Sequence, residues 1–496
     1  LAGPEANQRP FRSFPIHLFS VDFFDPMRRL NIKLSVSLVV GLLVTTVAVH
    51  VIHGIQIDRN ADVLLVEAER AEKEGGEKGK RHAIKKYGQY LKHRPNDASA
   101  QARFALLAAD IADLPGANQD EMKLAYRALD VAAKHPELTE VRRRIIDYYM
   151  RLGRFLDAIE YLEKLRATAQ ENGTLEPSLD VKYARCQVVV GHETTAIKVL
   201  DQLVGFDEKT KTFDVDAATA PNEIDAYLVL AEVLRRRLGD ADRADQVMQQ
   251  LIAANPDSSD AHLRLGRYDM RQSRFDQATQ EFNRALELSP EDPDVILEVA
   301  DIEITRKDFS RVGSLLELGI EKHPKNGEMY RAMGALALAQ GMANPEIRTA
   351  KIEEATKHVL AGLEQAPESP TLMVFFVDLQ LLNRDLDAVK SGIDRMRAAR
   401  FTQEFIDFYD ATLAVEQHKW PAAARQLEGL RPRMARWPDR QQQVDLELGT
   451  CYENMGQPDR QAEVYRRVLD VDSRSVPAMM GHSRALIALG RRKEGM

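Results

Sequence analysis

Cysteine, aromatic residues and recognisable catalytic signatures are scarce in this 496-residue chain, and each scarcity removes a class of function. Only Cys186 and Cys451 are present, with no partner spacing around either, so neither a disulfide framework nor a structural zinc site is expected. Aromatics make up 6% and charged residues 29%, a balance that suits long helices meeting through small side chains better than several compact cores. The formal net charge is -8, which argues against general nucleic-acid binding. There is no G-x-x-x-x-G-K-[ST] loop, no G-x-G-x-x-G after a strand and no G-x-S-x-G elbow. Carboxylates abound, but no spacing singles out a catalytic pair, so no catalytic residue, cofactor or metal is assigned.

Charge itself is missing from residues 34–57, LSVSLVVGLLVTTVAVHVIHGIQI. As a helix rising about 1.5 Å per residue, this stretch exceeds a hydrocarbon core of about 30 Å, and it is expected to be a transmembrane helix. A secretory signal cleaved near Thr46-Val47-Ala48 is the competing assignment. The 33-residue tail before it contains Asp22 and Asp25, unlike a basic signal n-region, which favours a retained anchor. Arg28, Arg29 and Lys33 precede the span, so the positive-inside rule places the N-terminus in the cytoplasm and residues 58–496 on the non-cytoplasmic side. The tail, residues 1–33, is broken by Pro10, Pro15 and Pro26 and carries Phe11, Phe14, Phe19, Phe23 and Phe24. His50 and His53 share one helix face at the far end of the span, but no second set of ligands lies nearby.

What is plentiful is repetition. Pro256, Pro290 and Pro324 stand 34 residues apart, as do Ala244, Ala278 and Val312, then Met248, Phe282 and Leu316, then Gly266, Ala300 and Gly334. Between these markers apolar residues recur three and four apart, which predicts two amphipathic helices per unit. Gly266 and Ala278 lack bulk where two helices approach, and Phe282 fills the space between pairs. One such unit cannot bury its apolar face alone, so stacking is required.

His262, Leu265, Gly266, Ala278, Phe282, Ala285 and Pro290 resemble the tetratricopeptide repeat, with His262 where that family often has tryptophan. The resemblance implies an all-α fold: a right-handed superhelical solenoid of stacked helix-turn-helix repeats, here preceded by one transmembrane helix. It covers about residues 61–496, roughly twelve units. The expected order is a tail at 1–33, the membrane helix at 34–57, and a charged connector with the first repeat helix at 58–80. A first sub-array follows at 81–204, then an insertion loop or seam at 205–222 and a second sub-array at 223–496. A nine-residue surplus falls in QGMANPEIRTAKIEEA, between the helices of one unit. VPAMMGHSRALIALG reads as the first helix of a further repeat, so the chain is expected to continue past Met496.

The resemblance also implies that the first helix of each pair lines a concave groove for extended partner segments. Helical spacing then turns Arg143, Arg151, Arg235, Arg236, Arg267, Arg271 and Arg331 toward it. Some members hold a terminal carboxylate with a clamp of Lys, Asn and Arg; here Asn is missing and Arg dominates. Arginine is suited to bidentate carboxylate recognition, so an acidic partner segment is expected. The function this predicts is a membrane-anchored scaffold that binds or assembles protein partners, without catalysis and without nucleic acid. Two rivals stay open. One is the substrate-selecting arm of an enzyme, such as a glycosyltransferase, with its catalytic domain beyond Met496. The other is an accessory subunit of a larger membrane complex, using the small face of Gly41, Thr45 and Thr46.

Overall fold

The computed structural model describes residues 32–114 and 117–495, so the aromatic tail expected at 1–33 lies almost wholly outside the described residues. The chain divides into two compact units, Leu1–Ile145 and Ile146–Met496.

The first unit opens on a helix of 43 residues, Ile32–Glu74. In its apolar half Val36, Leu38, Val39, Val40, Leu42, Leu43, Val44, Val47, Val49 and Val51 are all exposed. The expected span at 34–57 falls partly outside the described set, because nothing is described of the side chains at 34, 35, 48, 52, 54, 55 and 57. Among the described residues no helix is long and apolar enough to cross a membrane. From Ala61 onward the same helix becomes amphipathic: Ala61, Ala68 and Ala71 pack on Ala83, Tyr87 and Tyr90 of the next helix, Gly76–Tyr90. The 58–80 stretch is therefore helical, interrupted only at Gly75, where Gly75 and Gly76 take φ angles of 66° and 63° that glycine adopts without a Cβ clash. Helices Ala98–Ala112 and Gln119–Ala132 follow. Asp97 caps the first; Asn118 caps the second, with Glu121 reaching back to complete a capping box.

In the second unit helices pack in chain order, pair upon pair. Its register is visible at Ser259–Arg271 and Phe275–Leu288, where Ala278 and Phe282 are buried between helices. A Cβ on Gly266 would lie 2.5 Å from the Phe282 ring, so only glycine lets the two helices approach this closely. The same device recurs later, where Tyr465 fills the space left by Gly449 and Gly481.

Two irregularities differ from their sequence expectations. Residues 205–222 carry a short antiparallel hairpin, Phe206–Asp207 paired with Thr212–Phe213. Phe206 is sandwiched between Phe213, at 4.9 Å between centroids, and the Arg243 guanidinium, 3.8 Å from its ring. The buried cluster from Val181 to Tyr268 runs past this hairpin without a break, because Thr219 and Ala220 bond back to the preceding helix. The surplus near 342–355 is taken up by lengthening both neighbours, Gly327–Ala343 and Arg348–Gln365, which are joined by a single tight turn, Pro345–Ile347.

Candidate functional site: an arginine-lined cleft

The first helices of three successive pairs, Pro177–Val189, Ile224–Val233 and Ser259–Arg271, together with the end of Thr139–Arg151, border a cleft of about 1130 Å³ in the second unit. Helical periodicity explains why: Asp225, Leu228, Val229 and Glu232 lie on one face of the 224–233 helix, and Arg264, Arg267, Tyr268 and Arg271 on one face of the 259–271 helix. The helix at 224 then widens into a π-helical turn, Leu234–Leu238, closed by Gly239 at φ 69°. Such turns break the regular ladder and often mark functional positions. This one brings Arg235, Arg236 and Arg237 to the cleft wall in succession.

Each guanidinium has a different degree of freedom. Arg235 is committed inward: its Nε donates to the Tyr268 hydroxyl at 2.9 Å and its Nη2 to Asp245 at 2.5 Å. Tyr268 donates to the same carboxylate at 2.7 Å, and Arg274 donates to both of its oxygens at 2.9 and 3.0 Å. Burial pushes the Asp245 carboxyl up, but these donors outweigh it and hold it down at about 2. Burial and the Asp245 contact together push the Tyr268 phenol up to about 12. Arg267 donates to Glu298 at 2.7 Å, Arg185 to Asp225 at 3.0 Å and Arg264 to Asp260 at 3.0 Å. Arg236 is 67% exposed and contacts Glu232 at 3.1 Å, an interaction that solvent largely screens. Arg237 and Arg271 are exposed and make no hydrogen bond or ion pair among the described residues.

Of the seven arginines expected to line a groove, four do so: Arg235, Arg236, Arg267 and Arg271. The other three do not border this cleft, and each has a local reason. Arg143 belongs to the first unit, where it is half-buried and has a partner. Arg151 lies over the Tyr148 ring at 4.4 Å, and Arg331 is held by Glu328, one turn back, at 2.6 Å. The sequence reading missed Arg185, Arg237 and Arg264. Arg264 shares the i, i+3, i+7 face with Arg267 and Arg271, a signal that was available; Arg237 reaches the cleft only through the π-helical turn. It also missed the apolar side chains of Met150, Phe155, Val188, Val189 and Leu228 among the lining. His50 and His53 are exposed on the first helix, and no cluster of three or more potential metal ligands occurs among the described residues.

Three family profiles match, each described as tetratricopeptide repeat, over residues 226–293, 269–336 and 446–474. Over these segments the chain matches the tetratricopeptide repeat, and the first of them includes Arg235, Arg236, Arg237, Arg264, Arg267 and Arg271 of the cleft. Similar solved structures include the human IFIT1 dimer with PPP-AAAA, at 14% identity over 76% of this chain and 91% of that one, TM-score 0.36. The APC/C hetero-tetramer Cut9-Hcn1 is 14% identical over 88% and 85%, TM-score 0.36. Pseudomonas aeruginosa pilF is 15% identical over 52% and 97%, TM-score 0.31. Likeness at these levels assigns no partner to this chain.

Proposed function

We propose that this chain is a membrane-anchored scaffold without catalysis of its own, whose second unit holds an acidic segment of a partner protein. The observation that carries the binding half is the cleft, where seven arginines face two carboxylates, Asp225 and Glu232, although the chain as a whole is net negative. Local charge in a concave, partly apolar wall governs which ligand is drawn in. The anchoring half is supported by the charge-free residues 34–57 and by the exposed valines and leucines between Val36 and Val51. Arg28, Arg29 and Lys33 favour a cytoplasmic N-terminus with the repeats on the other side.

Extraction of native membranes at alkaline pH tests the anchor: the full chain stays in the pellet, and release into the supernatant removes the proposal. Protease added to sealed inverted vesicles tests orientation, and digestion of the repeats from the cytoplasmic side reverses it. For scaffolding, acidic partners co-purify in mild detergent and dissociate as salt rises, when the Debye length shrinks to about 3 Å at 1 M.

A further inference from the structure

Two asparagines in this chain precede glycine, Asn172 and Asn326, and they stand in opposite structural settings. Asn172 ends the helix Phe155–Glu171, and both it and Gly173 are exposed. Gly173 takes φ 65°, and the Gly173 and Thr174 amides donate to the Gln170 and Ala169 carbonyls at 3.2 and 2.8 Å, the paired bonds of a helix end closed by glycine. The Asn172 side chain makes no hydrogen bond among the described residues, and a Cβ on Gly173 would meet nothing within 4 Å.

Asn326 instead opens a helix, Gly327–Ala343, and is held from both sides. Its Oδ1 accepts from the Glu328 amide at 3.0 Å, and its own amide donates to the His323 carbonyl at 2.9 Å. Asn326 and Gly327 are half-buried, and a Cβ on Gly327 would lie 2.7 Å from the Ser369 Oγ.

We propose that Asn172 is a site of spontaneous deamidation, converting to aspartate and isoaspartate in the folded chain while Asn326 is spared. The Gly173 backbone nitrogen, having given its proton to solvent base, bonds to Cγ of Asn172. The bond from Cγ to Nδ2 then breaks, and Nδ2 leaves as ammonia with a proton from water. Water opens the resulting succinimide at either carbonyl, so one water is consumed and one ammonia released, with no oxidant or reductant. Glycine places no side chain in the way of this ring closure. At Asn172 the attack needs ψ turned from its value of -2°, which gives up the 3.2 Å bond from Gly173 to Gln170 at a helix end open to solvent. At Asn326 it needs loss of the capping bond and movement of Gly327 away from Ser369.

Isoaspartate routes the chain through Cβ and Cγ of residue 172, one backbone atom longer, so the bonds to Gln170 and Ala169 no longer align. Either product also sets a negative charge at a helix C-terminus, where the dipole opposes it.

The test holds the full chain in detergent at mildly alkaline pH and follows both Asn-Gly peptides by mass mapping, as NH is replaced by O. An isoaspartate-specific methyltransferase with a labelled methyl donor counts the isoaspartyl product. Asn172 converts about tenfold or more faster than Asn326, the ratio that a capping bond and burial supply. In urea the two sites converge. Asn172→Gln removes most of the methyl acceptance, and the isoaspartyl form loses hydrogen-exchange protection at Gly173 and Thr174. Equal rates at the two sites in the folded chain overturn the proposal, as does a difference that persists unchanged in urea. No conversion at Asn172 over the time in which the urea-unfolded chain has fully converted overturns it too. Unaltered protection at Gly173 and Thr174 in the isoaspartyl form removes the structural consequence drawn from it.

Discussion

Phe282 occupies the space that a side chain on Gly266 would need, its ring 2.5 Å from where a Cβ would stand. Gly266→Ala therefore forces the ring or the helix aside and is expected to cost about 1–3 kcal/mol. Phe282→Leu in the same chain returns part of that loss by making room. Urea unfolding of the two single variants and the double variant measures the coupling, and simple additivity would show that the two residues do not share this space.

Ala278→Arg places a long charged side chain where Ala278 is fully buried. Overpacking and an unpaired buried charge together should destabilise by several kcal/mol. In a stacked array each pair contacts its neighbours, so loss of hydrogen-exchange protection is expected to concentrate in residues 241–322 and to fade beyond them. Protection lost uniformly across both units would contradict that locality.

Asp245 holds Arg235, Arg274 and Tyr268 at once. Asp245→Ala leaves two guanidiniums without their main partner. Because both are partly exposed, the expected loss is modest, about 1–3 kcal/mol. The carboxyl is depressed to about 2 from an ordinary 3.8, so its contribution is complete above pH 3.8 and disappears as pH falls through 2. Acid unfolding curves of wild type and Asp245→Asn should converge at the low end of that window.

Glu447 shifts in the other direction. Burial pushes its carboxyl up to about 8 from an ordinary 4.5; the Thr412 hydroxyl, 2.9 Å from both oxygens, only partly offsets this. The folded chain then keeps a proton that the unfolded chain has released, so stability is greatest below pH 4.5, falls between 4.5 and 8 and levels off above 8. Arg440 favours the ionised form, while Glu416 and Asp378 oppose it. Glu447→Gln should flatten the profile across this window, as read from urea midpoints at several pH values.

The repeat register was legible because it depends on residues whose size is the signal: Gly266, Ala278, Phe282 and the prolines at a 34-residue step. Arg267 and Arg271 were legible on a different ground, since helical spacing alone puts them on one face. The pairing state of each was not, because the partner comes from another helix, as Glu298 does for Arg267 across 31 positions. Arg237 depends on a π-helical turn that three consecutive arginines do not announce. The hairpin at 206–213 was hidden by its two-residue strands, too short for an alternating pattern. A repeat helix was expected within 58–80, and the helix found there runs on unbroken from the apolar stretch, as Ile32–Glu74.

Cys186 and Cys451 are both free and buried, and burial pushes their thiols up to about 11 and about 12. The nucleophilic thiolate is therefore nearly absent from the folded chain at neutral pH, and neither sulfur serves as a labelling handle without unfolding. On the non-cytoplasmic side proposed for the repeats, surroundings would favour disulfide formation. Two unpaired cysteines would then be a hazard only between translocation and packing of their helices. Once each sulfur is enclosed, oxidative cross-linking between copies has no starting point, so cross-linked species recovered from cells would report chains that had not finished folding.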